Sequence, residues 1–366
     1  MIYLNAAAHG LPDAAVRARM RAHLELEDQI GPIAAECEAG EEMAAVTAKA
    51  ARVIDAPAEN VTLMPTTTLG WNAAVMSLPL AGKRVMVAPG EWSSDVAVLQ
   101  RMGARIEPIP TDNAGALDVK ALAANLDDDV AAICLPMVCS LTGDLYPAAQ
   151  IGALPRPDTC AFVVDAAQAV GQMPVSVRAL NCDILAATTR KWVRGPRDTG
   201  LLYVSDTALE RMEANPAPRL YNIVADGNAL NDRPGIRRFG SDSGFAPQRL
   251  GQGVALDQFL DGAEQIFALL NQLTIHASDT AAKHGLPLAN REPSGSAIIT
   301  LQLPRAEADA GMARIRDAGI DMKDAGPDCE PLRAIDADAE AFLRISPHVY
   351  NTEAEIDCFF DALTAD

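Results

Sequence analysis

Two side chains in this chain are of the right type and in the right place to do chemistry together. Lys191 closes the apolar run Cys182-Asp-Ile-Leu-Ala-Ala-Thr-Thr-Arg-Lys191, and Asp165 closes the run Phe162-Val-Val-Asp165. An amine and a carboxylate, each at the carboxyl end of a predicted buried strand, are the minimum equipment for holding pyridoxal phosphate. The amine would condense with the cofactor aldehyde as a Schiff base, and the acid would keep the pyridine nitrogen protonated so that the ring accepts electrons. Each residue also has a plainer reading, Asp165 as the cap of a following helix and Lys191 as a solvated lysine past a strand. The setting of Lys191 favours the cleft, because Thr188-Thr189-Arg190-Lys191-Trp192 and Gly195-Pro196 make a tight turn before the apolar run Gly200-Leu-Leu-Tyr-Val204.

The elements that must position these groups follow from hydrophobic patterning. Apolar runs at 61–64, 85–88, 105–109, 130–136, 161–164, 184–187 and 201–204 have strand length and flanking turn residues, and helix-like stretches at 69–78, 95–102 and 147–154 lie between several of them. This alternation predicts an α/β fold with a mainly parallel sheet covered by helices on both faces. Ligands of such sheets bind beyond the carboxyl ends of the strands, where Asp165 and Lys191 fall. From about Leu250 the rhythm changes to a long amphipathic helix carrying Leu256, Phe259, Leu260, Ala263, Ile266, Phe267, Leu270 and Leu273. Two strand-like segments follow, 297–303 and 342–346, and Thr352-Glu-Ala-Glu355 reads as a capping box before a last helix. The expected division is a large domain over 13–249 and a smaller α+β domain built from 1–12 and 250–366.

Composition narrows the class. The 366 residues are 49% hydrophobic and 22% charged, as in an ordinary globular protein. A net charge of −19 surrounds the molecule with a negative field that repels phosphate backbones and anionic lipid, so neither nucleic acid nor membrane is expected as a partner. No basic leader opens the chain and no apolar stretch approaches the roughly 18 residues of a membrane span, so the expected location is the cytoplasm. Seven cysteines in an odd set without a C-x-x-C spacing argue against a disulfide framework, and five scattered histidines give no metal site.

Other residues gain meaning in company. Pro65-Thr66-Thr67-Thr68-Leu69-Gly70 joins a strand to a helix, and its hydroxyls and free N–H groups suit a phosphate, although threonines there also serve as plain caps. Phe342, Arg344 and Ser346 share one face of a predicted strand, which aims Arg344 at the cleft.

Three blocks carry a family resemblance: Asp165-Ala-Ala-Gln168-Ala-Val-Gly, Thr188-Thr-Arg190-Lys191-Trp-Val-Arg-Gly195-Pro196-Arg-Asp-Thr-Gly200, and Leu343-Arg344-Ile-Ser-Pro-His-Val-Tyr350-Asn351-Thr352. Together they resemble the class V aminotransferases, a group that includes cysteine desulfurases and isopenicillin-N-epimerase-like enzymes. Arg190-Lys191-Trp-Val-Arg194-Gly-Pro-Arg197 and the opening Tyr3-Leu-Asn5-Ala-Ala are most similar to hercynylcysteine sulfoxide lyases. The resemblance implies a homodimer of fold type I with pyridoxal 5'-phosphate near the subunit boundary. It implies that Lys191 holds the cofactor and moves the proton, that Asp165 bonds the pyridine nitrogen and that Gln168 bonds the phenolic oxygen. Thr67, Thr68 and Thr188 would hold the phosphate, Trp92 would stack on the ring, and Arg344 would grip the substrate carboxylate. Trp92 serves equally well as a core aromatic.

Departures from the family pattern bear on the reaction. Arg190 stands where desulfurases place a histidine, and Ser140 stands where they place a substrate-contacting asparagine. Ser241 and Ser243 occupy the segment that relatives lend to a partner subunit's phosphate. Cys329 lies at the distance before Arg344 of a persulfide-forming cysteine, but Asp328 and Glu330 beside it would raise a thiol pKa, so it reads as an ordinary loop cysteine. The side-chain pocket is expected to draw on Asn5, Ala7 and His9, with His9 either an acid near the leaving group or a structural histidine. The expected reaction is elimination of a sulfur group from the β carbon of an amino acid, with transamination as the runner-up, then desulfuration or racemisation. A non-catalytic relative kept as a binding or scaffold protein is a further alternative, against which Lys191 and Asp165 together argue.

Overall fold

The protein is described here from a computed structural model covering residues 1–213, 223–227, 229–240, 245–290, 295–326, 329–333 and 335–365. Seven strands form the main sheet: β1 (Val61–Met64), β2 (Arg84–Val87), β3 (Arg105–Pro108), β4 (Val130–Pro136), β5 (Ala161–Asp165), β6 (Ile184–Thr188) and β7 (Gly200–Val204). Their spatial order is β1-β7-β6-β5-β4-β2-β3. Pairings are parallel from β3 through β6, whereas β7 runs antiparallel to both β6 and β1. Every strand except β7 therefore points the same way, and the segments after β1, β2, β4, β5 and β6 leave from one edge.

Side-chain alternation explains why these runs are strands buried on both faces. Ile133, Leu135, Phe162, Val164 and Leu185 pack into one hydrophobic cluster, while their neighbours Ala132, Cys134, Ala161, Val163 and Ile184 pack into another. In the central strands β4, β5 and β6 the interior positions are apolar on both faces, so each reads as an apolar run, whereas β3 at the sheet edge carries Arg105 and Glu107 and is partly exposed.

A third cluster, with Leu4, Leu273, Leu301, Leu343, Phe359 and Phe360, forms the core of a smaller unit. Its sheet joins β8 (Ile299–Pro304), β10 (Glu340–Ile345) and β9 (Lys323–Ala325) in that order, all antiparallel. Residues at the amino terminus belong to this unit in space: Ile2 and Tyr3 pair with Ile320 and Asp321, and the Ala6 N–H donates to the Ser346 carbonyl at 3.1 Å. The long helix spans Ala246–Lys283, and its one departure from helical dihedrals is at Gly262. It runs through residue 250 without a break. The capping box forms as read, with the Glu355 N–H donating to Thr352 Oγ1 at 3.3 Å and the Thr352 N–H donating to Glu355 Oε2 at 3.0 Å. None of the seven cysteines is in a disulfide. Among the described residues, no helix is long and apolar enough to cross a membrane.

Candidate active site

A cavity of about 350 Å³ opens at the edge where the parallel strands end. Thr66, Thr67 and Thr68 reach it from β1, Trp92 from β2, Ser140 from β4, Asp165 and Gln168 from β5, and Thr188, Arg190 and Lys191 from β6. The smaller unit closes it with Lys323, Cys329 and Arg344, and the amino-terminal segment adds Ala7 and Ala8.

At one end, Thr66 caps the helix Thr67–Val75 by accepting a hydrogen bond from the Leu69 N–H at 3.1 Å. Thr67 Oγ1 is buried and has no partner among the described residues. A buried hydroxyl left unmatched at a helix amino terminus suits an anion. Thr188 is more committed, since its hydroxyl donates to the Thr199 carbonyl at 2.8 Å.

At the other end, burial lowers the Lys191 amine to a pKa of about 7, with Arg190 and Arg344 adding to the drop and Asp165 opposing it. A neutral amine is what condensation with an aldehyde requires. Its loop is held in place from several sides. The Gly10 N–H donates to the Arg190 carbonyl at 2.9 Å, and a Cβ on Gly10 would lie 2.1 Å from the Lys191 carbonyl oxygen, so glycine alone fits there. After Lys191 the turn uses left-handed backbone at two non-glycine residues, Arg194 (φ 61°) and Asp198 (φ 57°), which concentrates strain beside the amine.

Behind the lysine, Trp192 Nε1 donates to Gln168 Oε1 at 3.0 Å, and Trp192 stacks on His348 with ring centroids 5.8 Å apart. Burial pulls His348 down to about 4, so its ring is neutral and donates from Nε2 to the Trp192 carbonyl at 3.0 Å, while Nδ1 accepts from the Val349 N–H at 2.8 Å. The Trp192 bond fixes the Gln168 amide so that Nε2 donates to the Ala7 carbonyl at 3.0 Å and to Ser140 Oγ at 3.2 Å. Ser140 Oγ also accepts from Arg344 Nη1 at 3.1 Å, which ties the cavity-lining arginine to the same network.

Asp165 is 8% exposed and, among the described residues, accepts a hydrogen bond from the Ala167 N–H at 2.7 Å. Two further acids stand behind it, Glu91 from the segment after β2 and Asp95 from the first turn of the helix Ser93–Arg101. One oxygen from each of the three carboxyl groups lies within 4.8 Å of the others, a separation at which two full charges repel by roughly 3.5 kcal/mol at an effective dielectric of about 20. Burial raises all three pKa values, and the charges of Asp95 and Asp165 push Glu91 further up. Spacing along the sequence gave no metal site and did not foresee this grouping of acids.

Two expected pocket residues lie elsewhere. Asn5 Nδ2 donates to Asp321 Oδ1 at 3.0 Å, and the His9 ring bonds the Gly10 carbonyl at 2.6 Å, so neither side chain lines the cavity. The reason is the pairing of the segment with the smaller unit, which turns Asn5 toward Asp321 and leaves only Ala7 and Ala8 facing the cavity. Cys329, expected to be an ordinary loop cysteine, is 2% exposed and lines the cavity. Ser241, Ser243 and Asp328 lie outside the described residues. Lys323 was missed because its side chain is brought in by the register of β9 against Arg344, a long-range pairing with no local signal.

A buried amine, a buried carboxylate facing it and an anion position at a helix start define a pyridoxal-phosphate enzyme of fold type I. The chain belongs to the aminotransferase class-V family, whose profile matches residues 2–359. It is 33% identical over 297 residues to a probable hercynylcysteine sulfoxide lyase of Mycobacterium tuberculosis, covering 79% of this chain and 71% of that one. A cysteine desulfurase of Escherichia coli is 26% identical over 334 residues, covering 87% of this chain and 81% of the relative. In fold, the chain superposes on the cysteine desulfurase of Thermococcus onnurineus with a TM-score of 0.87 at 21% identity, over 99% and 93% of the two chains. The cystine C-S lyase C-DES gives 0.86 at 19% identity, over 99% and 97%. This is therefore a pyridoxal-phosphate enzyme that acts on amino acids.

The residues present fit that cofactor. Thr67 with its unmatched hydroxyl, Thr68 and the helix start suit the phosphate, and Asp165 is a buried acid short of partners where a protonated ring nitrogen would satisfy it.

Proposed function

We propose that the chain is a carbon–sulfur lyase that removes a sulfur group from the β carbon of an amino acid without a 2-oxo acid acceptor. The observation that carries this reading is Arg190 in the cavity wall next to Lys191. A guanidinium stays charged at any working pH, so it cannot hand a proton to a departing group as a histidine can; it can only stabilise one that leaves as an anion. Arg190 and Lys323 at the cavity suit a sulfur leaving group of that kind. The similarity to the mycobacterial lyase points the same way.

When bound, pyridoxal phosphate condenses with amines and withdraws electrons from the bonds at the substrate α carbon. In this reading Arg344 grips the substrate carboxylate, and Lys191, with an amine near pKa 7, takes the α proton at neutral pH. The β carbon–sulfur bond then breaks with its electron pair on sulfur, and hydrolysis of the three-carbon remainder gives pyruvate and ammonia. Thr67, Thr68 and Thr188 would hold the phosphate. Trp92, Asp165 and Gln168 would hold the cofactor ring, Asp165 as the acid for the ring nitrogen and Gln168 as a donor for the phenolic oxygen. The working form in this reading is a cytoplasmic homodimer, which light scattering would register as twice the 38.7 kDa chain.

Cys329 favours a second reading, cysteine desulfurase, because its thiol lines the cavity that holds Lys191. The test is to give the holoenzyme S-substituted cysteine sulfoxides and cysteine with no 2-oxo acid. Equal amounts of pyruvate and ammonia support the lyase. Alanine with a persulfide on Cys329 supports the desulfurase, and a requirement for a 2-oxo acid makes the protein an aminotransferase.

A further inference from the structure

Glu91 and Asp95 have no role in the reaction described so far, yet they are 0% and 1% exposed. The oxygens they leave over are the informative atoms. Glu91 Oε1 accepts from the Trp92 N–H at 3.0 Å and Asp95 Oδ1 accepts from Ser94 Oγ at 3.0 Å, but Glu91 Oε2 and Asp95 Oδ2 are buried with no partner among the described residues. No ion pair among the described residues involves either acid; the cation that acts on the group is Lys191, through Asp165. Cys134, a buried thiol on β4, also faces the pair and is itself raised by burial and by both acids. Two ionised carboxylates with unmatched oxygens in so closed a space, beside a third, would be prohibitively costly. Two neutral acids would not, because neither then carries a charge and each owns an O–H in a group of carboxyls whose oxygens lie within 4.8 Å of one another.

We infer that Glu91 and Asp95 are positioning residues: neutral acids that share their protons with Asp165, so that the three carboxyl groups together present one negative charge to the cavity. This rests on the reading that Asp165 faces the ring nitrogen of pyridoxal phosphate. Donated hydrogen bonds stabilise the Asp165 carboxylate and weaken it as a base, so a proton between Asp165 and the ring stays on the ring. The acids thus hold the ring in its electron-withdrawing form without touching it. Burial, which raises both groups, agrees with the neutral state.

Infrared difference spectra of the holoenzyme in H₂O and D₂O test the protonation directly. Wild type should show protonated-carboxyl stretches, one lost in Glu91→Gln and another in Asp95→Asn; spectra in which neither variant loses a band overturn the inference. The positioning role is read by nitrogen NMR of bound cofactor labelled at the ring nitrogen. Glu91→Gln and Asp95→Asn keep a donor and should retain the protonated-ring shift, whereas Glu91→Leu and Asp95→Leu should move it toward the unprotonated ring. A protonated-ring shift in both leucine variants overturns the role. If the leucine variants fail to fold, the infrared comparison of the amide variants still decides. The two carboxyl bands in a chain that takes up no cofactor would support the neutral acids and overturn the functional reading instead.

Discussion

Two aspartates on the main sheet are buried to the same degree and treated in opposite ways. Asp183 and Asp165 are each 8% exposed. Asp183 precedes β6, at the edge away from the cavity, and accepts from the Phe162 N–H at 2.8 Å, Arg156 at 3.1 Å, and Arg211 and Ser205 Oγ at 3.3 Å each. Asp165 ends β5 at the cavity edge, accepts from one N–H and stands against two more acids. A carboxylate kept for the fold is saturated with donors; one kept for a ligand is left short of them. That difference locates the site more firmly than burial does.

The contrast can be broken in order of expected effect. Lys191→Ala should abolish both the visible absorbance of bound cofactor and turnover, with folding intact by circular dichroism. Asp165→Asn should lower kcat by roughly 10² to 10³, since it removes a fixed charge from where the reaction needs one. Arg344→Ala should raise KM for an amino acid by about 10 to 100-fold, the loss of a charged hydrogen-bonding partner worth about 1.5 to 3 kcal/mol. Asp183→Asn should do the reverse of the Asp165 change: a stability loss of about 2 kcal/mol in urea unfolding, with the cofactor spectrum unmoved. If Asp183→Asn shifted the spectrum and Asp165→Asn shifted only stability, the division between the two acids would be wrong.

The smallest effect is a pH dependence. Folding lowers the Lys191 pKa from 10.5 to about 7, so the unfolded chain binds the proton more tightly between those values. That group alone makes apoenzyme stability rise with pH across this window and leaves it flat below 7. Lys191→Met should remove that part of the slope, read from urea midpoints at several pH values.

Much of this was legible in the chain. The apolar runs marked the central strands because both faces of the sheet are covered there, and Lys191, Asp165, Thr67, Thr68 and Arg344 were expected at the cavity they line because each sits at a strand end or on a strand face whose direction follows from alternation. Asn5 and His9 were misplaced because an irregular amino-terminal segment has no period from which to read side-chain direction; its pairing with 320–321 decides it. Glu91, Asp95, Lys323 and the cavity position of Cys329 were out of reach for a different reason. They meet Asp165, Lys191 or Arg344 only through sheet order and the docking of the smaller unit, which no local pattern encodes.

The central claim is that Lys191 is the amine that holds the cofactor opposite Asp165. Borohydride reduction of the holoenzyme followed by peptide mapping tests it, because among the described residues two lysines line the cavity, Lys191 and Lys323. The account predicts the reduced pyridoxyl label on Lys191; a label on Lys323, or no label on either, contradicts it.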